Sequence, residues 1–203
     1  MEIAPDWPSL LVGKQLLIFD FDGTIADTTP LHAAAFNQVL SPFGLTVDYS
    51  RIAGMSTRAA MRKLGREAGK EWGEETVKAL VRAKQIAVRT QIAAGLEPLP
   101  GVDRLLGEVR GRFRLAMVTS GSRETVLLSM RCLGYEGWFD PLITADDVVN
   151  GKPDPEGFEK ALRMTGVEAD AALVFEDSDA GILAARSAGI EALDVRVHSL
   201  LAQ

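Results

Sequence analysis

Asp20 and Asp22, two positions apart in Asp-Phe-Asp-Gly-Thr, pair a carboxylate able to attack an electrophile with one able to carry a proton. Thr119, Lys152 and the Glu176-Asp177 doublet follow in order, with separations of 99, 33 and 25 residues from Asp20 through Thr119 and Lys152 to Asp177. A hydroxyl donor, a compact ammonium and a second acidic pair suit chemistry on an anionic group. Two carboxylates facing an anion repel it, so positive charge has to be supplied beside them.

These residues stand where short apolar runs stop. Leu16 to Phe21 is such a run, closed by Asp22-Gly23-Thr24, and it reads as a buried strand ending in a turn. Arg114 to Thr119 runs into Ser120-Gly121-Ser122, Ala172 to Phe175 runs into Glu176-Asp177-Ser178, and Glu191 to Val195 follows Ala188-Gly189. Helical patterns over Arg123 to Leu133 and Ala180 to Ala188 separate them. Strands alternating with helices predict an α/β fold, a Rossmann-like parallel sheet flanked by helices. Right-handed crossovers then bring the strand C-termini, with their polar residues, to one rim. The stretch 30–97 departs from this pattern. It holds helical segments over His32 to Leu40, Ser56 to Ala68 and Glu74 to Ala94 and no strand, and it returns at Leu99-Pro100-Gly101. We read it as an all-helical cap inserted into a core formed by 1–29 and 98–203.

The four ordered motifs resemble those of the haloacid dehalogenase superfamily of phosphotransferases, in the branch with a helical cap after the first strand. The likeness covers nearly the whole chain beyond Gly13. It implies a phosphatase acting on a small phosphorylated metabolite, a sugar phosphate. Hydrolysis of phosphate monoesters is among the slowest reactions known without a catalyst, so charge neutralisation and alignment must dominate. The resemblance gives Asp20 the part of nucleophile, forming an aspartyl-phosphate, and Asp22 that of general acid and base. It gives Mg²⁺ to Asp20, the Asp22 backbone carbonyl and Asp177, with Glu176 beside them; the ion needs few protein ligands because it keeps several waters. Lys152, in Gly-Lys-Pro-Asp-Pro, fits the family's phosphate-clamping lysine. Thr119 fits its hydroxyl donor, with Ser120 close enough to take that part.

In the insert, His32 matches a frequent substrate-facing histidine, and Thr29 stands where relatives often have an acidic residue. Arg58, in Gly54-Met55-Ser56-Thr57-Arg58, and Lys84 are further candidates for substrate contact, with Arg51 for a second anionic group or sugar hydroxyls; as isolated charges, Arg58 and Lys84 equally suit a solvated helix face. The rival within the same resemblance is a hexose-phosphate mutase of the β-phosphoglucomutase kind, which shares the core machinery. Mutase relatives put the cap arginine directly after Gly-x-Ser, whereas Thr57 intervenes here, which favours hydrolysis. A non-enzymatic phospho-aspartate signalling module also uses an Asp, a hydroxyl, a Lys and Mg²⁺, but needs neither Asp22 nor a cap that shields the site from water.

Composition narrows the field further. The 203 residues are 47% apolar and 25% charged, which suits a globular chain with a buried core. The net charge of −6 argues against a mainly electrostatic grip on nucleic acid or anionic lipid. No apolar run reaches the ~20 residues of a membrane span, and Met1 to Pro8 lacks a signal-peptide pattern. Cys132 is the single cysteine, so no internal disulfide forms and a reducing cytoplasm is the expected compartment. Cys132 and His198 have no catalytic partners in sequence, and Trp7, Trp72 and Trp138 read as packing residues.

Overall fold

Leu16–Phe19 is fully buried on both sides, as a central strand of a parallel sheet must be. In the computed structural model, which describes residues 7–53 and 55–197, a short helix α1 (Trp7–Leu10) precedes this strand, β1. Gly54, His198 and the start of the chain lie outside the described residues. The chain continues through α2 (Thr29–Leu40), α3 (Thr57–Glu67), α4 (Glu74–Ala94), α5 (Val102–Val109), β2 (Arg114–Val118), α6 (Arg123–Leu133), β3 (Leu142–Ile143), α7 (Glu156–Thr165), β4 (Ala172–Glu176), α8 (Asp179–Ser187) and β5 (Glu191–Asp194). Among the described residues the sheet has five strands in the order β3-β2-β1-β4-β5, and every pairing is parallel.

The strands sort their side chains by the two-residue period of the pleat. Leu17, Phe19, Leu115, Met117, Leu173 and Phe175 face α5 and α6, where the Phe19 and Phe175 rings stack at 4.5 Å. Leu16, Ile18, Ala116, Val118 and Val174 face the other way, onto Phe158 and Ala161 of α7 and Ala184 and Ala185 of α8. With both faces covered, the sheet is the middle of a three-layer α/β sandwich.

Differences from the sequence reading concern boundaries and short elements. β1 stops at Phe19, two residues before the apolar run does, because the Phe21 carbonyl already accepts from the backbone N–H groups of Thr24, Ile25 and Ala26 in the following turn. β3 is two residues long and has no period to read. The helices α5 and α7 were not expected. α7 opens at Pro155, in a proline-rich stretch that reads as loop.

Residues 29–94 carry α2, α3 and α4, which pack around their own apolar cluster of Phe36, Leu40, Val47, Ile52, Met61, Val77 and Leu80. Trp72 packs against this cluster, edge-on to Phe43. The two chain crossings into this helical segment lie side by side: Ala26 bridges Pro98, and Leu99 N donates to the Ile25 carbonyl at 2.9 Å. Farther out, Ala35, Val88 and Ile92 pack with Leu128 of α6, and Arg89 of α4 faces Glu124 of α6 at 2.9 Å.

Candidate active site

Parallel pairing brings the ends of β1, β2 and β4 to one rim, and the polar residues that follow them converge there. Asp20 is 6% exposed, and its Oδ1 accepts a hydrogen bond from Lys152 Nζ at 2.5 Å. The same ammonium donates to Glu176 Oε2 at 2.7 Å, so one lysine bridges the ends of β1 and β4. Burial, followed by the negative charge of Glu176, pushes the Asp20 carboxyl well above the usual carboxylate range despite the opposing pull of Lys152. Burial alone would lower Lys152, but Asp20 and Glu176 hold it above the ordinary lysine value, so it stays charged.

The turn after β1 is shaped by Gly23. Its φ of +84° suits glycine, and a Cβ there would collide with the Asp177 carboxylate. Thr28 Oγ1 donates to Asp22 Oδ1 at 2.5 Å, which anchors that side chain at the cavity wall. At the end of β4, Ser178 caps α8 by accepting from Gly181 N at 3.0 Å, and its own N–H and hydroxyl donate to Glu176 Oε1 at 3.1 and 2.7 Å. Gly181 is required for closeness: a Cβ on it would enter the Glu176 carboxylate.

Asp20, Glu176 and Asp177 offer carboxylate oxygens that all lie within 4.8 Å of one another. A set of hard oxygen donors at this spacing fits a Mg²⁺-like ion. Glu176 already uses both oxygens, one toward Lys152 and one toward Ser178, which leaves Asp20 and Asp177 the less encumbered donors. Burial and the neighbouring Glu176 raise the Asp177 carboxyl to about 7, as crowding of acids in a buried site does.

A cavity of about 370 Å³ opens over these groups and is roofed by the helical segment. It is lined by Asp20, Asp22, Lys152, Glu176 and Asp177 below and by Thr29, His32, Lys84 and others above. Lys84 is 2% exposed, so it is no solvated helix charge; its Nζ lies 2.9 Å from His32 Nδ1. Burial lowers His32 to about 4 and Lys84 to about 8. At neutral pH the ammonium therefore donates to Nδ1, which leaves the imidazole proton on Nε2, 3.6 Å from Asp22 Oδ1.

Ser120 borders this cavity, whereas Thr119 is buried beside it with its Oγ1 accepting from Gly121 N at 3.1 Å. Arg58 is not brought to the carboxylates: it lies on the exposed start of α3, pairs with Glu74, and borders a neighbouring cavity of about 340 Å³ instead. Arg51 likewise pairs with Glu67. Residues that sequence reading missed are Tyr49, Gln85, Ser178 and Arg196, which also line the main cavity. Ser178 was legible as a helix N-cap three positions before Gly181; the others carry no local signal.

A family model described as haloacid dehalogenase-like hydrolase matches residues 17–195. The fructose-1-phosphate phosphatase YqaB of Escherichia coli is 36% identical over 181 residues, covering 89% of this chain and 96% of that protein. A phosphorylated carbohydrates phosphatase of Thermotoga maritima is also 36% identical, over 92% of this chain and 87% of its own. Among solved structures, CbbY of Rhodobacter sphaeroides in complex with phosphate superimposes with a TM-score of 0.80 at 28% identity, covering 88% of this chain and 84% of that one.

Proposed function

Because the chain belongs to the haloacid dehalogenase-like hydrolases, we propose that it is a Mg²⁺-dependent phosphatase that hydrolyses a small sugar phosphate through an aspartyl-phosphate. The observation that carries this reading is the Asp20 carboxylate, buried at the end of β1, held by Lys152 at 2.5 Å and open to a cavity that Asp22 also lines. Asp20 attacks phosphorus as the bond to the leaving oxygen breaks, and Asp22 delivers its proton to that oxygen. Water then attacks the aspartyl-phosphate, Asp22 takes its proton, and Asp20 is released with inorganic phosphate. Lys152 offsets charge shared by Asp20 and the transferring group, and a hydroxyl from Thr119 or Ser120 donates to a phosphoryl oxygen. Asp20, the Asp22 carbonyl and Asp177, supported by Glu176, would hold Mg²⁺, which when bound supplies further positive charge to the phosphoryl oxygens.

We assign 30–97 as the cap and 1–29 with 98–203 as the core. Closure of the cap shields the aspartyl-phosphate from bulk water, and opening releases product. His32 and Lys84 border the leaving-group side, and the position of Arg58 away from the cavity, paired with Glu74, supports hydrolysis over transfer to a second, free hydroxyl oxygen of the sugar. No helix among the described residues is long and apolar enough to cross a membrane, and we place the enzyme in the cytoplasm, acting on a small metabolite with neither nucleic acid nor membrane as partner. The test is release of phosphate from a panel of sugar phosphates with Mg²⁺ and again with chelator. Conversion of β-glucose 1-phosphate to glucose 6-phosphate without free phosphate would replace the phosphatase reading by the mutase one.

A further inference from the structure

Lys152 does not stand at a strand end. It lies in the loop 144–155 between β3, which is two residues long, and α7, so the sheet does little to fix its position. The start of this loop is tied down from several sides. Asp147 Oδ2 accepts from Thr144 N and Oγ1 at 2.9 and 2.7 Å and from Arg123 Nη2 at 2.6 Å. Ala145 N donates to the Gly121 carbonyl at 2.9 Å, and Lys160 Nζ donates to the Asp147 carbonyl at 2.8 Å.

The end that carries the lysine has less support. Val149 is 91% exposed, and Asn150 and Gly151 are exposed as well, so no packing holds the three residues before Lys152. Among the described residues their backbone is bonded only within 149–156. The Gly151 carbonyl accepts from Asp154 N at 3.1 Å, and the Glu156 carboxylate accepts from Val149 N on Oε1 at 2.9 Å and from Asn150 N on Oε2 at 2.8 Å. Those two N–H groups hold the Glu156 carboxyl below its ordinary value, so it is an anion throughout the neutral range. Glu156 is the first residue of α7, whose Phe158 and Ala161 are fully buried against the sheet. It therefore ties an exposed segment to a helix anchored in the core.

A lysine is a point charge on a flexible stem, and its reach depends on where the stem is rooted. In the resting site Asp20 and Glu176 hold the ammonium themselves. In turnover an Asp20 oxygen bonds to phosphorus, and the ammonium has to meet the phosphoryl oxygens from a root that stays in place. A misplacement of about 1 Å costs about 100-fold in rate. We propose that Glu156, which lines neither cavity, is a positioning residue: by gripping two consecutive backbone N–H groups it sets the loop from which Lys152 meets the transferring phosphoryl group. This rests on the phosphatase reading above and adds to it a residue outside the cavity on which the rate depends.

The experiment measures phosphate release from p-nitrophenyl phosphate with Mg²⁺ and the inhibition constant of orthovanadate, which stands in for the transferring group, with melting curves alongside. Glu156→Ala lowers kcat about 100-fold and raises the orthovanadate constant by a similar factor. That constant does not depend on how much of the protein is folded, so a loss of folded protein alone leaves it unchanged. Glu156→Gln keeps one accepting oxygen and loses about tenfold in both, the size of one hydrogen bond; it decides the matter if Glu156→Ala does not fold. Glu159→Gln, which alters the next acidic residue of α7 and its pair with Arg163, matches the wild type. An active wild type with an orthovanadate constant unchanged in the Glu156 variants, or changed equally in Glu159→Gln, overturns this inference and leaves a phosphatase. No release by the wild type overturns the phosphatase reading, and the inference with it.

Discussion

Lys152 satisfies two buried carboxylates at once, and its removal leaves both without a counter-charge, Glu176 keeping only its hydrogen bonds from Ser178. Lys152→Met is therefore expected to inactivate the protein and to lower its stability by about 3–5 kcal/mol, the range for breaking a buried ion pair from one side, measured by urea denaturation. Asp20→Asn keeps the shape of the side chain, and phosphate release is expected to vanish while the melting curve shows an intact fold. Asp22→Asn is expected to lower kcat by about 10²- to 10⁴-fold, the usual share of acid–base catalysis. Asp177 carries its own linkage. Its folded value of about 7 stands above the ordinary 3.8, so without a cation the folded chain binds more protons than the unfolded one in that window. Stability then falls as pH rises from about 4 to about 7. A divalent ion takes the place of the proton, so the gain in Tm from Mg²⁺ is expected to be larger at pH 8 than at pH 5 by differential scanning fluorimetry. An equal gain at both would contradict the crowding of these acids.

At the level of elements, the turns that end β1 and β4 are set by close approach. Gly23→Ala combines a positive φ with a collision against Asp177, and it is expected to raise the Mg²⁺ concentration needed for half-maximal phosphate release. Ser178→Ala removes the N-cap of α8 together with a hydrogen bond to Glu176, for an expected loss of about 1–2 kcal/mol in urea titration. These turns also explain what was legible beforehand. Strands such as Leu16–Phe19 and Ala172–Glu176 could be read because both faces are buried and the sequence is continuously apolar, in the second case up to Phe175. Helix α4 could be read from its period, but the fate of Lys84 could not: burial beside His32, 52 positions away, is a tertiary fact that no local pattern encodes. Arg58 shows the converse, since its motif suggested a substrate contact while Glu74, 16 positions on, offered a nearer partner. Tyr49 escaped notice because a lone aromatic in a short turn reads as packing.

Across the whole molecule, the described residues divide between a rim that carries the carboxylates and Lys152 and a helical roof over the cavity. The roof has its own apolar cluster, and it reaches the other part through the Ala35, Val88, Ile92 and Leu128 contact and the Arg89–Glu124 pair. A chimera that replaces 30–97 by the matching segment of a relative with a different substrate is expected to adopt that relative's preference while p-nitrophenyl phosphate is still hydrolysed, measured as a ratio of kcat/KM values. The seam at Ala26 and Pro98 makes such an exchange feasible in the simplest sense. Because the chain departs and comes back through adjoining backbone, what lies between can lengthen, shorten or be traded for another without rethreading a single strand, and a lineage can change its diet while keeping its teeth.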